Sequence, residues 1–122
     1  MTDWTADELA RIGRASELRI ATARRDGSLR SDLPIWAVRV GERIVIRSWK
    51  GTDGAWYRQA QRTGRGRIAS GGVTKDVTIA DGSALDRAEV DAAYRAKFGS
   101  GFYTNRMVSD AAAETTLIVD PA

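Results

Sequence analysis

The chain has 122 residues, 43% of them hydrophobic and 29% charged, with 19 Lys and Arg against 16 Asp and Glu for a net charge of +3. That length and balance describe one globular domain able to bury roughly two-thirds of its unfolded surface, and they exclude disorder, fibrous classes and, by charge alone, a case for nucleic acid. The chain has no Cys and no His, which removes disulfides, thiolate nucleophiles, soft-metal sites, Ser-His-Asp triads and imidazole acid-base chemistry, so a bound cofactor is the expected source of any reactive atoms.

No apolar run approaches the ~20 residues that a membrane helix needs. The opening "MTDWTADELAR" is acidic and amphipathic rather than signal-like, so no membrane partner and a cytoplasmic location are expected. Within it, Thr5 and Glu8 form a capping-box pattern and predict a helix over about 5–14, with Leu9 and Ile12 on one face and Trp4 packed beneath as a staple.

"ELRIATARR" reads as a strand with Leu18, Ile20 and Thr22 on one face, and Asp26-Gly27 as a hairpin turn. The return, "LRSDLPIWAVRV", places Ile35 and Ala37 on one side and Trp36, Val38 and Val40 on the other. Pro34 lacks an amide hydrogen and so belongs at an edge, a bulge or a strand start. After a turn at Gly41, "RIVIRS" supplies a third strand, in which Ile44 and Ile46 alternate with Val45 and Arg47.

A short helix follows in "GAWYRQAQRTG", with Trp56, Ala60 and Thr63 on one face and Gly64 as its stop. "RGRIASGGVTKDVTIAD" reads as a hairpin about Gly71 and Gly72. Ser83 and Asp86 are cap residues for an amphipathic helix that buries Leu85, Val90, Tyr94 and Phe98 and stops at Gly99. A loop, "GSGFYTNRMVS", leads to a last strand, "TTLIVD". The expected class is α+β: a six-stranded, mostly antiparallel, closed or partly closed barrel with flanking helices, against an open sheet with helices on one face.

Three clusters stand out. The first is Ser48, Trp49, Lys50 and Gly51, continuing through Gly54 to Trp56, Tyr57 and Arg58. Here a strand end, a glycine loop and a helix start offer a hydroxyl, cations and free amides to an anion such as phosphate, unless Asp53 caps the helix and occupies those amides. The second is the hairpin "ARRDGSLR", where Arg24, Arg25 and Arg30 flank a turn and read first as solvated charges. The third, "GFYTNRM", sets Phe102, Tyr103 and Arg106 on a glycine-flanked loop suited either to a lid or to core packing. The basic run "RTGRGR" has no interleaved aromatics, which argues against nucleic acid.

"VIRSWKGTDGAWYRQA" and "RRDGSLRSDLPIWAV", followed by "YRAKFGSGFYTNRM" and "TTLIVDP", resemble in order the elements of the deazaflavin-dependent nitroreductases of the flavin split-barrel superfamily. "GAWYR" is similar to a recurring signature of a small bacterial family catalogued as a domain of unknown function. The resemblance implies a single split β-barrel domain over residues 1–122 that binds FMN or the 5-deazaflavin coenzyme and transfers hydride to a small organic substrate, with a homodimer as partner state. It assigns the cofactor to Ser48, Lys50, Trp56 and Tyr57 and to the hairpin Arg25 and Arg30, with Trp49, Gly51 and Arg58 alongside. Tyr103 and Trp36 fall on the substrate side, and Trp36, Trp49 and Trp56 are candidate ring walls, with core packing the alternative for Trp36 and Trp56. Three departures mark this chain: Trp49 where the family has a small or basic residue, the acid Asp53 in the loop, and Thr63-Gly64 in place of Asn-Pro. The rival reading is a non-catalytic barrel that binds a small molecule or serves as a dimerising module.

Overall fold

A computed structural model describes residues 3–122. Five helices and seven strands follow in the order α1 (Ala6–Arg14), β1 (Leu18–Thr22), β2 (Leu33–Ile35), β3 (Ala37–Val40), β4 (Arg43–Ile46), α2 (Ala55–Thr63), β5 (Arg65–Ser70), β6 (Val73–Asp81), α3 (Arg87–Phe98), α4 (Phe102–Met107), α5 (Asp110–Ala113) and β7 (Leu117–Pro121). A single 3₁₀ turn, Gly51–Asp53, precedes α2.

The strands form one sheet in the order β2-β1-β5-β6-β7-β4-β3, with every pairing antiparallel. Its two outermost strands, β2 and β3, are consecutive in the chain and separated only by Trp36. They are the two halves of the single return strand expected from sequence. The first half pairs with β1 and the second with β4, so one bent strand brings the two ends of the sheet together and nearly closes a barrel. The expected six strands become seven for this reason, and the open-sheet alternative is set aside. Closing the sheet this way leaves no long edge open to another chain. The last strand, β7, is inserted between β6 and β4.

The side-chain alternation survives the bend. Ile35 and Ala37 join the barrel interior with Leu18, Ile20, Ile44, Ile46, Ile68 and Val119. Trp36, Val38 and Val40 face outward with Val45, where Val90 and Tyr94 of α3 cover them. Each fully buried aliphatic side chain contributes roughly 1.5–3 kcal/mol of burial free energy. Trp4, Leu9 and Ile12 extend the barrel core from the helix that precedes it. The Trp4 indole donates to the Val119 carbonyl at 2.9 Å, and both halves of the Thr5–Glu8 capping box are made.

Two local expectations are corrected. The stretch after Gly99 is not a loop but the two short helices α4 and α5, opened by Gly101 and by the Ser109 hydroxyl. Helices of six and four residues are too short to print a periodicity. Asp86 alone caps α3, by accepting from the Ala88 amide; Ser83 instead bonds Asp81, and Leu85 lies ahead of the helix.

Candidate functional site

The segment that leaves β4 is held from below. The Ser48 amide donates to Thr115 Oγ1 at 2.8 Å, and Thr115 in turn donates to the Ala112 carbonyl at 2.6 Å. From there the backbone turns twice in quick succession, Gly51 N–H to Ser48 O at 3.0 Å and Gly54 N–H to Gly51 O at 3.2 Å. Gly51 sits at φ 64°, and a Cβ on it would meet Ala111 only at ordinary contact distance, so conformation rather than space calls for glycine.

Gly54 is the N-cap of α2 and brings no side-chain hydrogen bond, so the first-turn amides have no side-chain acceptor. Asp53 does not cap the helix; it is exposed in the 3₁₀ turn. Ser48 is buried, yet its Oγ has no hydrogen-bond partner, and a Cβ on Gly54 would overlap that oxygen. A buried hydroxyl left unpaired costs about 1–3 kcal/mol. The pair therefore marks a small polar niche beside an uncapped helix N-terminus.

The niche opens into a cavity of about 550 Å³ bounded by β2, Trp36, the segment 47–50, the start of α2, and Tyr103 and Met107 of α4. Trp36 stands at the strand bend and stacks on Phe98 with centroids 3.9 Å apart and planes within 4°. Trp49 is half-exposed. Arg106 donates from Nε to its carbonyl at 3.1 Å and holds its guanidinium 5.0 Å from the indole centroid. Tyr103 lies 6.0 Å from Trp49 and, with Phe102, is exposed. Trp56 is mostly buried and meets Tyr57 edge-on at 6.3 Å.

Of the residues singled out from sequence, Trp36, Ser48, Trp49, Lys50, Trp56 and Tyr103 border this one cavity. Gly51, Tyr57 and Arg58 flank it without lining it. Gly51 turns the backbone, and Arg58 is exposed on α2. Tyr57 is buried and accepts from Gln61 Nε2 at 2.9 Å; burial first, then Asp81 and Glu114, push its phenol up. Arg25 and Arg30 belong to the β1–β2 connection and do not border the cavity. Arg25 is exposed; Arg30 is half-buried, with its amide bonded to the Thr22 carbonyl at 2.9 Å and its Nε unpaired. The run "RTGRGR" is divided between α2 and β5, and Arg67 is paired with Asp76 at 2.7 Å.

Arg47 is the cavity residue that sequence reasoning missed. Its side chain is 1% exposed, donating to Thr116 Oγ1 at 2.9 Å, Asp91 Oδ1 at 2.5 Å and the Met107 carbonyl at 3.0 Å. It also lies 5.6 Å from the centroid of Tyr94, whose phenol is pushed up by burial. The available signal was an Arg continuing the outward face of β4, where Val45 packs against α3, with Asp91 one residue beyond the buried Val90.

The profile of a bacterial family described as "Uncharacterized protein conserved in bacteria (DUF2255)" matches residues 8–119. No curated protein matches the sequence. Among solved structures, one described as an F420 reductase is similar at 14% identity and TM-score 0.54, over 93% of this chain and 91% of that one. An FAD and heme binding protein from Mycobacterium smegmatis is similar at 17% identity and TM-score 0.54, over 97% of this chain and 66% of that one. A pyridoxamine 5'-phosphate oxidase-related, FMN binding protein from Nostoc punctiforme is similar at 13% identity and TM-score 0.51, over 99% and 81% of the two chains. At such identities the likeness is one of fold, the split barrel.

Proposed function

The chain belongs to the bacterial DUF2255 family, and from its split barrel and cavity we propose that it binds a flavin-type cofactor, FMN or the 5-deazaflavin coenzyme, and acts as an oxidoreductase on a small organic substrate. The observation that carries this reading is the meeting of an unpaired buried hydroxyl, an uncapped helix N-terminus and an indole wall in one cavity. Its volume of about 550 Å³ lies within the ~300–1,000 Å³ usual for cofactor and small-molecule pockets.

The residues fit such a group. Ser48 and the first amides of α2 donate to an anionic or carbonyl oxygen, and Lys50 adds a cation at the rim. Trp36, Trp49 and Trp56 wall a planar ring, and Tyr103 covers it. The three solved structures are described by F420, FAD and FMN, which supports the flavin-type class without choosing within it. When bound, the cofactor supplies the hydride. The chain's own residues bind, orient and exclude water, in keeping with a lining that includes no carboxylate.

The test is titration of the purified protein with FMN and with F420, followed by tryptophan fluorescence and thermal unfolding. At a hundredfold excess over Kd, a true ligand stabilises by about 2.7 kcal/mol. One of the two is expected to bind, and Ser48→Ala and Lys50→Ala are expected to weaken it. Failure of both cofactors to shift the melting transition rejects the reading. The lining offers Lys50 and Tyr103 but no carboxylate or imidazole, which favours a second reading, a barrel that holds the cofactor without turning it over. Reoxidation of the reduced cofactor by nitroaromatic or quinone acceptors, measured with and without protein, separates the two. The proposed partner state is a homodimer, consistent with the exposed cluster of Trp49, Phe102 and Tyr103; sedimentation equilibrium decides it.

A further inference from the structure

Arg47 carries five N–H donors in a fixed planar fork. Three have partners: Nε serves Thr116, and Nη1 serves both Asp91 and the Met107 carbonyl. The two on Nη2 have no acceptor among the described residues. Nη2 is not among the fully buried unpaired atoms of the described residues, which are Arg30 Nε, Ser48 Oγ and Tyr94 OH, so it keeps contact with water, and a donor that water alone satisfies is free for a ligand oxygen. Arg47 borders the aromatic cavity and also a second cavity of about 480 Å³ beside α5. The second cavity has its own carboxylates, Asp110 and Glu114, and neither bonds the fork. The aromatic cavity contains no carboxylate, and its other cation is Lys50.

We infer that Arg47 is a ligand-recognition residue, its Nη2 donating to an anionic oxygen on the edge of a planar ring seated between the tryptophans. The selected class is therefore a planar aromatic carboxylate, phenolate or enolate, and a ring bearing an ammonium group is rejected. Asp91 fixes the fork and also tempers it, since its charge lies against the same guanidinium at 2.5 Å. Neutralising Asp91 while keeping its oxygen leaves the fork held and more strongly cationic toward a ligand. The inference rests on the proposed placement of the binding site in this cavity, and not on which cofactor is used.

Three probes of one shape test it by calorimetry: 2-naphthoate, 2-naphthalenemethanol and 2-naphthylmethylammonium. The expected order in the wild-type protein is carboxylate, then alcohol, then ammonium. Arg47→Lys keeps a cation for Asp91 but loses the fork, and is expected to weaken naphthoate roughly tenfold or more while sparing the alcohol. Asp91→Asn moves the other way and tightens naphthoate alone, which a merely structural role for the pair would not produce. The inference is overturned if the alcohol binds as tightly as the carboxylate, if no probe binds, or if Asp91→Asn leaves the preference unchanged. Should Arg47→Lys fail to fold, Asp91→Asn decides. Carboxylate selection without affinity for FMN or F420 means that the cofactor reading fails and this one stands.

Discussion

Ser48 and Gly54 compete for the same space. The serine oxygen is buried without a partner where a Cβ on Gly54 would sit, although Gly54 itself has φ −63°, a value open to alanine. Ser48→Ala is therefore expected to raise the stability of the unliganded protein by about 1 kcal/mol, because it removes an unsatisfied hydroxyl. Gly54→Ala is expected to cost about 1–3 kcal/mol through overlap with Ser48. The double variant should recover most of that loss, giving a coupling of about 1 kcal/mol or more in urea unfolding. Additive single effects would mean that the two atoms do not meet. At this scale the sequence placed much of the cavity lining together: a strand end, two glycines and a helix start in succession bring Ser48, Trp49, Lys50 and Trp56 to one cavity. Arg47 escaped because a charge on an apolar strand face gains meaning only when its partners, Asp91 and Thr116, arrive from α3 and from the segment before β7.

Helix α1 shows how much a single element owes to its first turn. Lys75, by a 2.7 Å ion pair, and next the Thr5 amide hold the Glu8 carboxyl below its ordinary value of 4.5. A depressed carboxylate stabilises the fold above its unfolded value, and that stabilisation is lost as pH falls through the folded one. Urea unfolding followed from neutral pH to below pH 4.5 should therefore show a loss of stability that is smaller in Glu8→Gln. Thr5→Ala should cost about 1 kcal/mol at neutral pH from the broken capping box. Elements with caps and alternation of this kind were legible from sequence, including both faces of the bent β2–β3 strand. What was not legible was the bend itself, because alternation runs through Trp36 unbroken while the hydrogen-bond partner changes from β1 to β4. The helices α4 and α5 were hidden by their brevity.

The whole molecule is a sheet whose neighbours in space are often distant in the chain. β1 pairs with β5, and β4 waits for β7. Such non-local pairing sets refolding in the range of milliseconds to seconds, slower than helical proteins of this size; stopped-flow tryptophan fluorescence measures it. Truncation before Leu117 should abolish cooperative unfolding, since β6 and β4 would lose the strand that joins them.

The insertion of β7 between β6 and β4 also sets an order of events during synthesis. Ile46 pairs with Leu117, about seventy residues further on. At roughly 5–20 residues per second, a ribosome needs on the order of 4–14 s to make the strand that completes the barrel. Through that interval β4 lacks the neighbour that joins it to β6. Barrel closure therefore waits until β7 has been made and is free to thread between two strands made before it.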